Sequence, residues 1–343
     1  MLYFLITFFL SASLTWLVRK LALKLKVIDL PDEQRHLHAK PTPLLGGVAI
    51  FLSFWAVVLF LIFNPIFGIE RISNGLTAAL ISGMIIVLVG IADDLRPLPA
   101  KVRLLFVALA ISFVSVYAAP WLTKITNPLG GYFVIEKIVS GTLIFFWLMG
   151  TTYTVKILDG LDGLATGVAA IGAFIIFLLA SVTKFYQPNV ALVAAIFLAA
   201  CLGFLIFNFY PAKIFLGESG SMFLGFMLGV LAVISGGKIA TALLVMAIPI
   251  LDLARVAYVR IKRKQSVFIG DREHLHFRLL DAGFSHRQAV LFLYCLSFLF
   301  GITTLFLSSL HKLYALGGLL VLMAIINHYV GRHPLLTKEG RSP

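Results

Sequence analysis

Acidic residues and cysteines are both scarce in this sequence. Only 15 of the 343 residues are Asp or Glu, and charged residues of either sign make up 13% of the chain. The two cysteines, Cys201 and Cys295, lie inside apolar runs, where a thiol acts as a small hydrophobe rather than as part of a disulfide or metal framework. Internal repeats, low-complexity tracts and dividing linkers are also missing. We therefore expect residues 1–343 to form a single transmembrane domain.

Hydrophobic residues, in contrast, make up 60% of the sequence and occur in long uninterrupted runs. A membrane-spanning helix requires about 20 such residues, whereas the strands of a membrane barrel would alternate apolar and polar residues. The sequence therefore predicts an all-α, polytopic membrane protein with about eleven spanning helices. The predicted spans are residues 2–18, 44–63, 74–91, 103–120, 138–157, 163–181, 189–207, 218–234, 240–258, 288–308 and 313–330.

The basic residues predict the orientation of these helices. We interpret the net charge of +13 as the concentration of Lys and Arg in cytoplasmic loops, rather than as a nucleic-acid surface. With the N-terminus outside, most basic residues fall in the predicted cytoplasmic loops 19–43, 92–102, 158–162, 208–217 and 259–287. The basic residues on the outer side are Arg71, Lys124, Lys137, Lys184, Lys238 and Lys312. Almost all acidic residues share the cytoplasmic side, so we expect the chemistry there, at the plasma (inner) membrane.

Two pairs of aspartates mark this face. Asp93 and Asp94 are adjacent, and Asp159 and Asp162 stand three residues apart, a spacing that places both on one face of a helix. Carboxylates at a membrane edge are costly unless they face water or bind a cation, and Mg²⁺ accepts one or two carboxylates together with phosphates and water. For Asp159 and Asp162, the alternative is a helix cap with a solvated loop acid. For Asp93 and Asp94, the alternative is a pair of loop acids neutralised by the basic residues Lys101 and Arg103.

Basic and imidazole side chains are concentrated in the same predicted loops. Lys101 follows the first aspartate pair, and Glu218 opens a predicted helix whose dipole favours a carboxylate. The loop residues that suit phosphate contacts are Arg35, His38, Arg260, Arg272, His274 and His276. For the first loop, attraction to anionic lipid is the alternative. For His274 and His276, a zinc site is the alternative.

Two local signals predict helices after the large basic loop. Asp271 is expected to cap a short helix that ends near Gly283. Ser285 and Gln288 have the spacing of a capping box at the start of the next apolar run.

Taken together, four aspartates, one glutamate and a basic loop are expected on one membrane face. Acids beside bases in this arrangement describe a site for Mg²⁺, or Mn²⁺, and a polyanionic ligand. Phosphoryl transfer requires mainly positioning and neutralisation of charge, which these groups supply.

The order of these motifs resembles the polyprenyl-phosphate N-acetylhexosamine-1-phosphate transferase family, glycosyltransferase family 4. The matching motifs are Arg35…His38…Pro43…Gly46-Gly47, Asp93-Asp94…Lys101, Asp159-Gly-Leu-Asp162-Gly, Phe207-Asn208…Pro211-Ala212…Gly217, Asp252 and Asp271-Arg272…His274-Leu-His276. The last motif is similar to that of the branch that uses small UDP-N-acetylhexosamines.

The resemblance implies a Mg²⁺-dependent reaction on the cytoplasmic face. Polyprenyl phosphate would attack the β-phosphorus of a UDP-N-acetylhexosamine, foremost UDP-GlcNAc, to give polyprenyl-diphospho-sugar and UMP in the first membrane step of cell-surface glycan synthesis. Asp93 and Asp94 would handle the lipid phosphate, either as a base or as metal ligands. Asp159 and Asp162 would hold the metal and pyrophosphate, with Glu218 as a further metal ligand. The implied substrate contacts are Arg35, His38, Lys101, Lys156, Asn208, Arg260, Asp271, Arg272, His274 and His276. The lipid bilayer is the surrounding partner, and a homodimer is compatible with this assignment.

Four residues depart from the family's pattern. Tyr153 and Lys156 replace asparagines, Glu218 replaces an aspartate, and Phe277 replaces a histidine. A lysine beside aspartates would compete with a metal ion unless a carboxylate binds it, so we predict that Lys156 and Glu218 interact. The departures leave an inactive, lipid-binding homologue as one alternative. A secondary transporter is another, although its acids would be expected near the midplane between repeats.

Overall fold

The computed structural model is almost entirely helical and confirms the predicted all-α membrane architecture. It describes residues 1–30, 41–64, 70–127, 131–182, 186–236, 239–265, 273–307 and 309–332. Within these ranges, 8 helices are long and apolar enough to cross a membrane, and Gly46–Ile62 and Leu310–Ile326 are shorter apolar helices. The helices are α1 (Leu2–Lys24), α2 (Gly46–Ile62), α3 (Glu70–Leu95), α4 (Ala100–Ala118), α5 (Lys137–Leu158), α6 (Leu164–Ser181), α7 (Pro188–Asn208), α8 (Gly217–Ile234), α9 (Ile239–Val245), α10 (Ala247–Lys262), α11 (Leu275–Asp281), α12 (His286–Thr303) and α13 (Ser309–Arg332).

Two short antiparallel hairpins accompany the helices. Strand β1 (Ile28–Asp29) pairs with β2 (Thr42–Pro43), and β3 (Lys124–Thr126) pairs with β4 (Tyr132–Val134). The first hairpin holds the end of α1 beside the start of α2.

The sequence predicts one helix over 240–258, whereas the structure divides this region into α9 and α10 at Met246. Pro249 explains the division. Proline has no N–H to bond the carbonyl of Val245, and its ring collides with a carbonyl four residues earlier in a continuous helix. After the break, α10 packs against α5, α12 and α13.

Helix α8 forms the centre of the bundle. Its residues from Ser219 to Ile234 are all buried, and it packs against α2, α3, α5 and α6. A Cβ atom added to Gly47 would lie 2.1 Å from the Cα of Gly220, and one added to Gly90 would lie 2.2 Å from the Cα of Ser219. Small residues allow helix backbones to approach this closely in a membrane. The glycines of α2 and α3 therefore fix the position of the first turn of α8.

Backbone hydrogen bonds reinforce this position. The N–H groups of Gly46 and Gly47 donate to the carbonyls of Phe215 and Leu216 at 3.0 and 2.9 Å, and the N–H of Phe215 donates to Pro43 at 2.8 Å. The start of α2 and the segment before α8 are thus held together independently of side chains. The first turn of α8 carries Glu218, so this framework also positions a predicted site residue.

Candidate active site

Asp94 caps helix α8 from the neighbouring helix α3. One carboxylate oxygen accepts a hydrogen bond from the N–H of Glu218 at 2.8 Å, and the other accepts from the N–H and the hydroxyl of Ser219 at 3.3 and 2.9 Å. The first N–H groups of a helix have no partner within that helix, and its positive dipole end favours an anion. Gly217 is required here because its φ is +75° and a Cβ would lie 2.6 Å from Asp94 Oδ2.

Asp93, next to Asp94 in the chain, binds a residue of helix α4. It is 8% exposed and accepts hydrogen bonds from the Leu98 N–H at 2.6 Å and from the Arg103 guanidinium. The same guanidinium nitrogen of Arg103 is 3.6 Å from Glu218 Oε1. Arg103 therefore joins the Asp93 carboxylate to the start of α8.

Lys156 and Glu218 form the ion pair that the sequence predicts. Lys156 Nζ lies 2.7 Å from Glu218 Oε1, and both side chains are only partly exposed. Asp93, Arg103, Lys156 and Glu218 thus form a set of two acids and two bases, which we call the charge quartet. Glu218 Oε2 is buried and has no hydrogen-bond partner among the described residues. The quartet balances its own formal charge but leaves this one oxygen unsatisfied.

Asp162 is anchored on two sides. Its Oδ2 accepts from the N–H of Ala212 at 2.9 Å, and its own N–H donates to Nε2 of His286 at 2.9 Å. The His286 ring stacks on Tyr210, with ring centroids 4.2 Å apart. Asp162 therefore has a fixed position at the start of the turn into α6.

Asp159 directly follows the last residue of α5, and within the described part of the chain it has no comparable set of hydrogen-bond donors. Burial, followed by the negative charges of Glu218, Asp94 and Asp162, raises the pKa of the Asp159 carboxyl to about 8. A raised carboxyl pKa shows that the surroundings disfavour the ionised form. Among the four aspartates predicted from sequence, Asp159 is the one whose charge most clearly lacks compensation.

The segment His274-Leu275-His276, at the start of α11, is held against α10 by Asp252 and Arg255. Asp252 Oδ2 accepts from the Leu275 N–H at 3.0 Å and lies 2.9 Å from His274 Nδ1. Arg255 binds Asp252 Oδ1 at 3.1 Å and also donates to the carbonyl of Glu273. These contacts fix the segment before α11 against α10. Asp252 is part of the motif that resembles the family, and the structure gives it this positioning role.

His276 projects onto the aspartate loop. It is 3% exposed, and its ring is parallel to that of His274 with centroids 5.8 Å apart. A Cβ atom on Gly160 would lie 2.3 Å from His276 Nε2, so the imidazole sits directly against the chain between Asp159 and Asp162. Its Nε2 is buried without a hydrogen-bond partner among the described residues. Burial, followed by the charge of His274, lowers the pKa of His276 to about 3.

Of the remaining predicted substrate contacts, three lie within the described residues and four lie outside them. Asn208 is buried, and its amide bonds to Thr166 Oγ1 at 3.0 Å and to the Ile214 carbonyl at 3.1 Å, so its substrate contact stays a prediction. Lys101 is exposed at the start of α4, and Arg260 is buried on α10. Arg35, His38, Asp271 and Arg272 lie outside the described residues. Helix α11 begins at Leu275 with His274 at its N-cap, so the prediction that Asp271 caps this helix is wrong. The capping box of Ser285 and Gln288 is confirmed.

Three contributors to the site go beyond the residues predicted to hold substrate or metal. Arg103 was expected, together with Lys101, either to suit phosphate charge or to neutralise the aspartate pair, and the structure confirms its ion pair with Asp93. Arg255 stands three residues after Asp252, so its ion pair with that acid had a signal in helical spacing. Its contact with the Glu273 carbonyl, and the contact of His286 with the Asp162 N–H, had none because the partners are far along the chain. Sequence spacing alone does not show that such groups meet.

The donor set suits a hard divalent cation bound together with substrate. Within the part of the chain that the structure describes, no three acidic, imidazole or thiol groups form a closed metal cage. Mg²⁺ does not need one, since it is commonly held by one or two carboxylates, substrate phosphates and waters. Asp159, with its uncompensated charge, and the unsatisfied Oε2 of Glu218 are carboxylates that a cation would stabilise.

Acidification is expected to destabilise the protein through His276. An unfolded histidine has a pKa near 6.5, whereas the folded His276 takes up its proton only near pH 3. Below about pH 6.5 the unfolded state therefore binds one more proton, and each further pH unit removes about 1.4 kcal/mol of folding free energy. Melting temperatures of detergent-purified protein between pH 7 and 5 should fall more steeply in the wild type than in His276→Gln. The exposed His311, changed to Gln, is the control, and equal slopes in all three proteins would contradict the prediction.

Comparisons with known proteins identify the family of this chain. The model of glycosyl transferase family 4 matches residues 76–236. A probable undecaprenyl-phosphate N-acetylglucosaminyl 1-phosphate transferase of Bacillus subtilis is 33% identical, over 93% of this chain and 88% of that protein. A decaprenyl-phosphate N-acetylglucosaminephosphotransferase of Mycobacterium leprae is 34% identical, over 82% and 76%. An undecaprenyl-phosphate alpha-N-acetylglucosaminyl 1-phosphate transferase of Escherichia coli is 27% identical, over 83% and 78%. With similarity of this extent, the chain belongs to glycosyl transferase family 4.

Proposed function

We propose that this chain transfers GlcNAc-1-phosphate from UDP-GlcNAc to a polyprenyl phosphate and releases UMP. The names of its relatives support this reaction and its polyprenyl acceptor. The observation that carries the proposal is the meeting of Asp159, Asp162, Glu218 and His276 at the ends of apolar helices. An isoprenoid chain can remain in the bilayer beside such a site while its phosphate reaches the acids and bases.

The reaction forms one P–O bond and breaks another. An oxygen of the lipid phosphate attacks the β-phosphorus of UDP-GlcNAc, and the bond from this phosphorus to the bridging oxygen breaks. The bridging oxygen leaves with the bonding electrons as part of UMP. A phosphate monoester has a second pKa near 6, so the acceptor is already ionised at neutral pH. The carboxylates of Asp93 and Asp94, both engaged in hydrogen bonds, are therefore not required to remove a proton from it.

The residues of the chain divide the remaining tasks. Asp159 and Asp162 would hold Mg²⁺, which when bound neutralises charge on the pyrophosphate. The first turn of α8, fixed by Asp94, presents Glu218 to the same region. His276 is neutral at physiological pH and its free Nε2 is available to a polar group of the substrate. Lys101 and Arg260 contribute positive charge that favours the approach of a dianionic lipid and a sugar nucleotide.

We place the site on the cytoplasmic face of the plasma (inner) membrane. The distribution of Lys and Arg among the loops supports this orientation. A single cysteine at Gln265, an exposed position after α10, introduced into a cysteine-free background is expected to react with an impermeant maleimide only in inverted vesicles. Labelling in intact cells would contradict the orientation without bearing on the reaction itself.

The reaction is tested by following phosphorus and sugar separately. Membranes with the expressed chain are incubated with undecaprenyl phosphate, Mg²⁺ and UDP-GlcNAc that carries ³²P in the β-position and ³H in the sugar. Both labels should enter the lipid extract in equal amounts, with UMP in the aqueous phase. Transfer of ³H without ³²P would indicate a glycosyl transfer instead, and transfer of neither would favour a lipid-binding homologue. UDP-glucose and UDP-GalNAc in parallel reactions show whether the acetamido group and the sugar configuration are required.

A further inference from the structure

The charge quartet separates the acids of the site into two groups. Asp93 and Glu218 are paired with Arg103 and Lys156. Asp159 has no such partner among the residues that the structure describes, and burial together with the surrounding negative charges raises its pKa although Lys156 acts in the opposite direction. The compensated and uncompensated carboxylates therefore lie side by side on the ends of α3, α5 and α8.

Glu218 lies on the border between the two groups. Its Oε1 is 2.7 Å from Lys156 Nζ and 3.6 Å from the Arg103 guanidinium, so both cations are directed at one oxygen. The second oxygen, Oε2, has no partner among the described residues, and the Glu218 charge acts on Asp159. A carboxylate arranged in this way can either remain with the lysine or turn towards a cation near Asp159.

We propose that Lys156 is a positioning residue that retains Glu218 in the charge quartet. Asp159 and Asp162 then bind Mg²⁺ without Glu218, and therefore with lower affinity than the same site would have without the lysine. The inference rests on the proposed Mg²⁺-dependent reaction. Two positive groups that compete for the same carboxylate weaken each other's binding, because the ammonium repels the metal ion and occupies its ligand. Lys156 thereby sets the concentration range in which this chain binds its metal.

This role has a direct test in metal binding without substrate. Purified protein in detergent is titrated with Mn²⁺, and the free ion is quantified by electron paramagnetic resonance. Lys156→Asn removes the ammonium and frees Glu218, so the variant should bind Mn²⁺ about tenfold more tightly than the wild type, a change equivalent to about 1.4 kcal/mol. Lys156→Arg retains a cation beside Glu218 and should remain within about threefold of the wild type.

A double-mutant cycle distinguishes coupling from two separate effects. Glu218→Asp shortens the arm and leaves Lys156 poorly paired, so Mn²⁺ binding should weaken. In Lys156→Asn/Glu218→Asp the ammonium is gone, and binding should be at least as tight as in the wild type. Non-additive changes in the cycle indicate that the residues interact. Lys213→Asn, which removes an exposed lysine from another loop of the same end of the bundle, is the control for net charge and should change nothing.

Several outcomes would overturn the inference. An unchanged or weakened affinity in Lys156→Asn would do so, as would strictly additive effects in the cycle, a gain of equal size in Lys213→Asn, or a lack of Mn²⁺ binding in every variant. Size-exclusion profiles and melting curves identify variants that fail to fold, and Lys156→Arg then supplies the comparison. Because no substrate is present, loss of coupling in a chain that transfers both radiolabels refutes this inference alone. Coupling in a chain that transfers neither label refutes the proposed reaction alone.

Discussion

Asp159→Asn is expected to lower turnover by about a thousandfold, which corresponds to about 4 kcal/mol of transition-state stabilisation. The carboxylate lies where burial and the charges of Glu218, Asp94 and Asp162 disfavour its ionised form. A group maintained in such surroundings serves as a ligand for a cation rather than as a stabilising contact. A neutral amide removes the negative charge that Mg²⁺ requires while preserving the shape of the side chain.

The same substitution should leave thermal stability unchanged or raise it, because folding no longer has to bury this carboxyl or protonate it. Turnover is measured with the doubly labelled substrate, and stability by melting in detergent. Glu136→Gln is the matched control, since Glu136 is an exposed acid at the other end of α5 and should affect neither quantity. Near-normal turnover in Asp159→Asn would show that the carboxylate does not participate in the reaction. Loss of stability together with activity would instead indicate a structural role.

Gly47→Ala is expected to destabilise the folded bundle by about 1–3 kcal/mol. The new Cβ would lie 2.1 Å from the Cα and 2.2 Å from the N of Gly220. Both contacts are with backbone, so no side-chain rotation relieves them. Helices α2 and α8 would have to separate, and the first turn of α8 would shift relative to Asp94. We therefore expect turnover to fall with stability, although Gly47 itself contacts no predicted substrate.

Gly150→Ala provides the control for this substitution. Gly150 lies in the interior of α5, and no atom of the described residues lies within 4 Å of a Cβ built there. Alanine favours helix over glycine by up to about 1 kcal/mol, so this variant should be as stable as the wild type or slightly more stable. Melting temperatures in detergent and turnover of both variants are compared. Equal stability of the two variants would mean that the α2–α8 contact tolerates separation.

The elements that the sequence predicts well are those with local signals. Ser285 and Gln288 predict a capping box because both partners lie within one turn. The apolar runs likewise predict the long helices to within a few residues at most ends. The division of the 240–258 run at Met246 was missed even though Pro249 is visible in the sequence. In a continuous apolar run, hydrophobicity alone does not show whether a proline kinks a helix or divides it.

The sequence predicts which residues form the site, but not most of the contacts between them. Charge complementarity predicts that Lys156 and Glu218 interact, and the structure confirms the contact. The use of Asp94 as a helix cap for Glu218 and Ser219 was not predicted, because the partners are 124 and 125 residues apart. The sequence also gives no sign that His286 holds Asp162. Such contacts depend on how α3, α8 and α12 pack, and that arrangement follows from many small backbone fits rather than from a motif.

The ion pair between α5 and α8 also limits how this protein can be recombined with its relatives. Lys156 and Glu218 are 62 residues apart, so a crossover between them separates the partners. The family resemblance implies an aspartate in place of Glu218. A hybrid that receives such an α8 but keeps Lys156 would place the ammonium beside a shorter acid. The reverse hybrid leaves Glu218 with Arg103 alone. Since an unpaired charge in a partly buried site is the costly state, functional hybrids are expected to inherit residues 156–218 as one unbroken segment from a single parent.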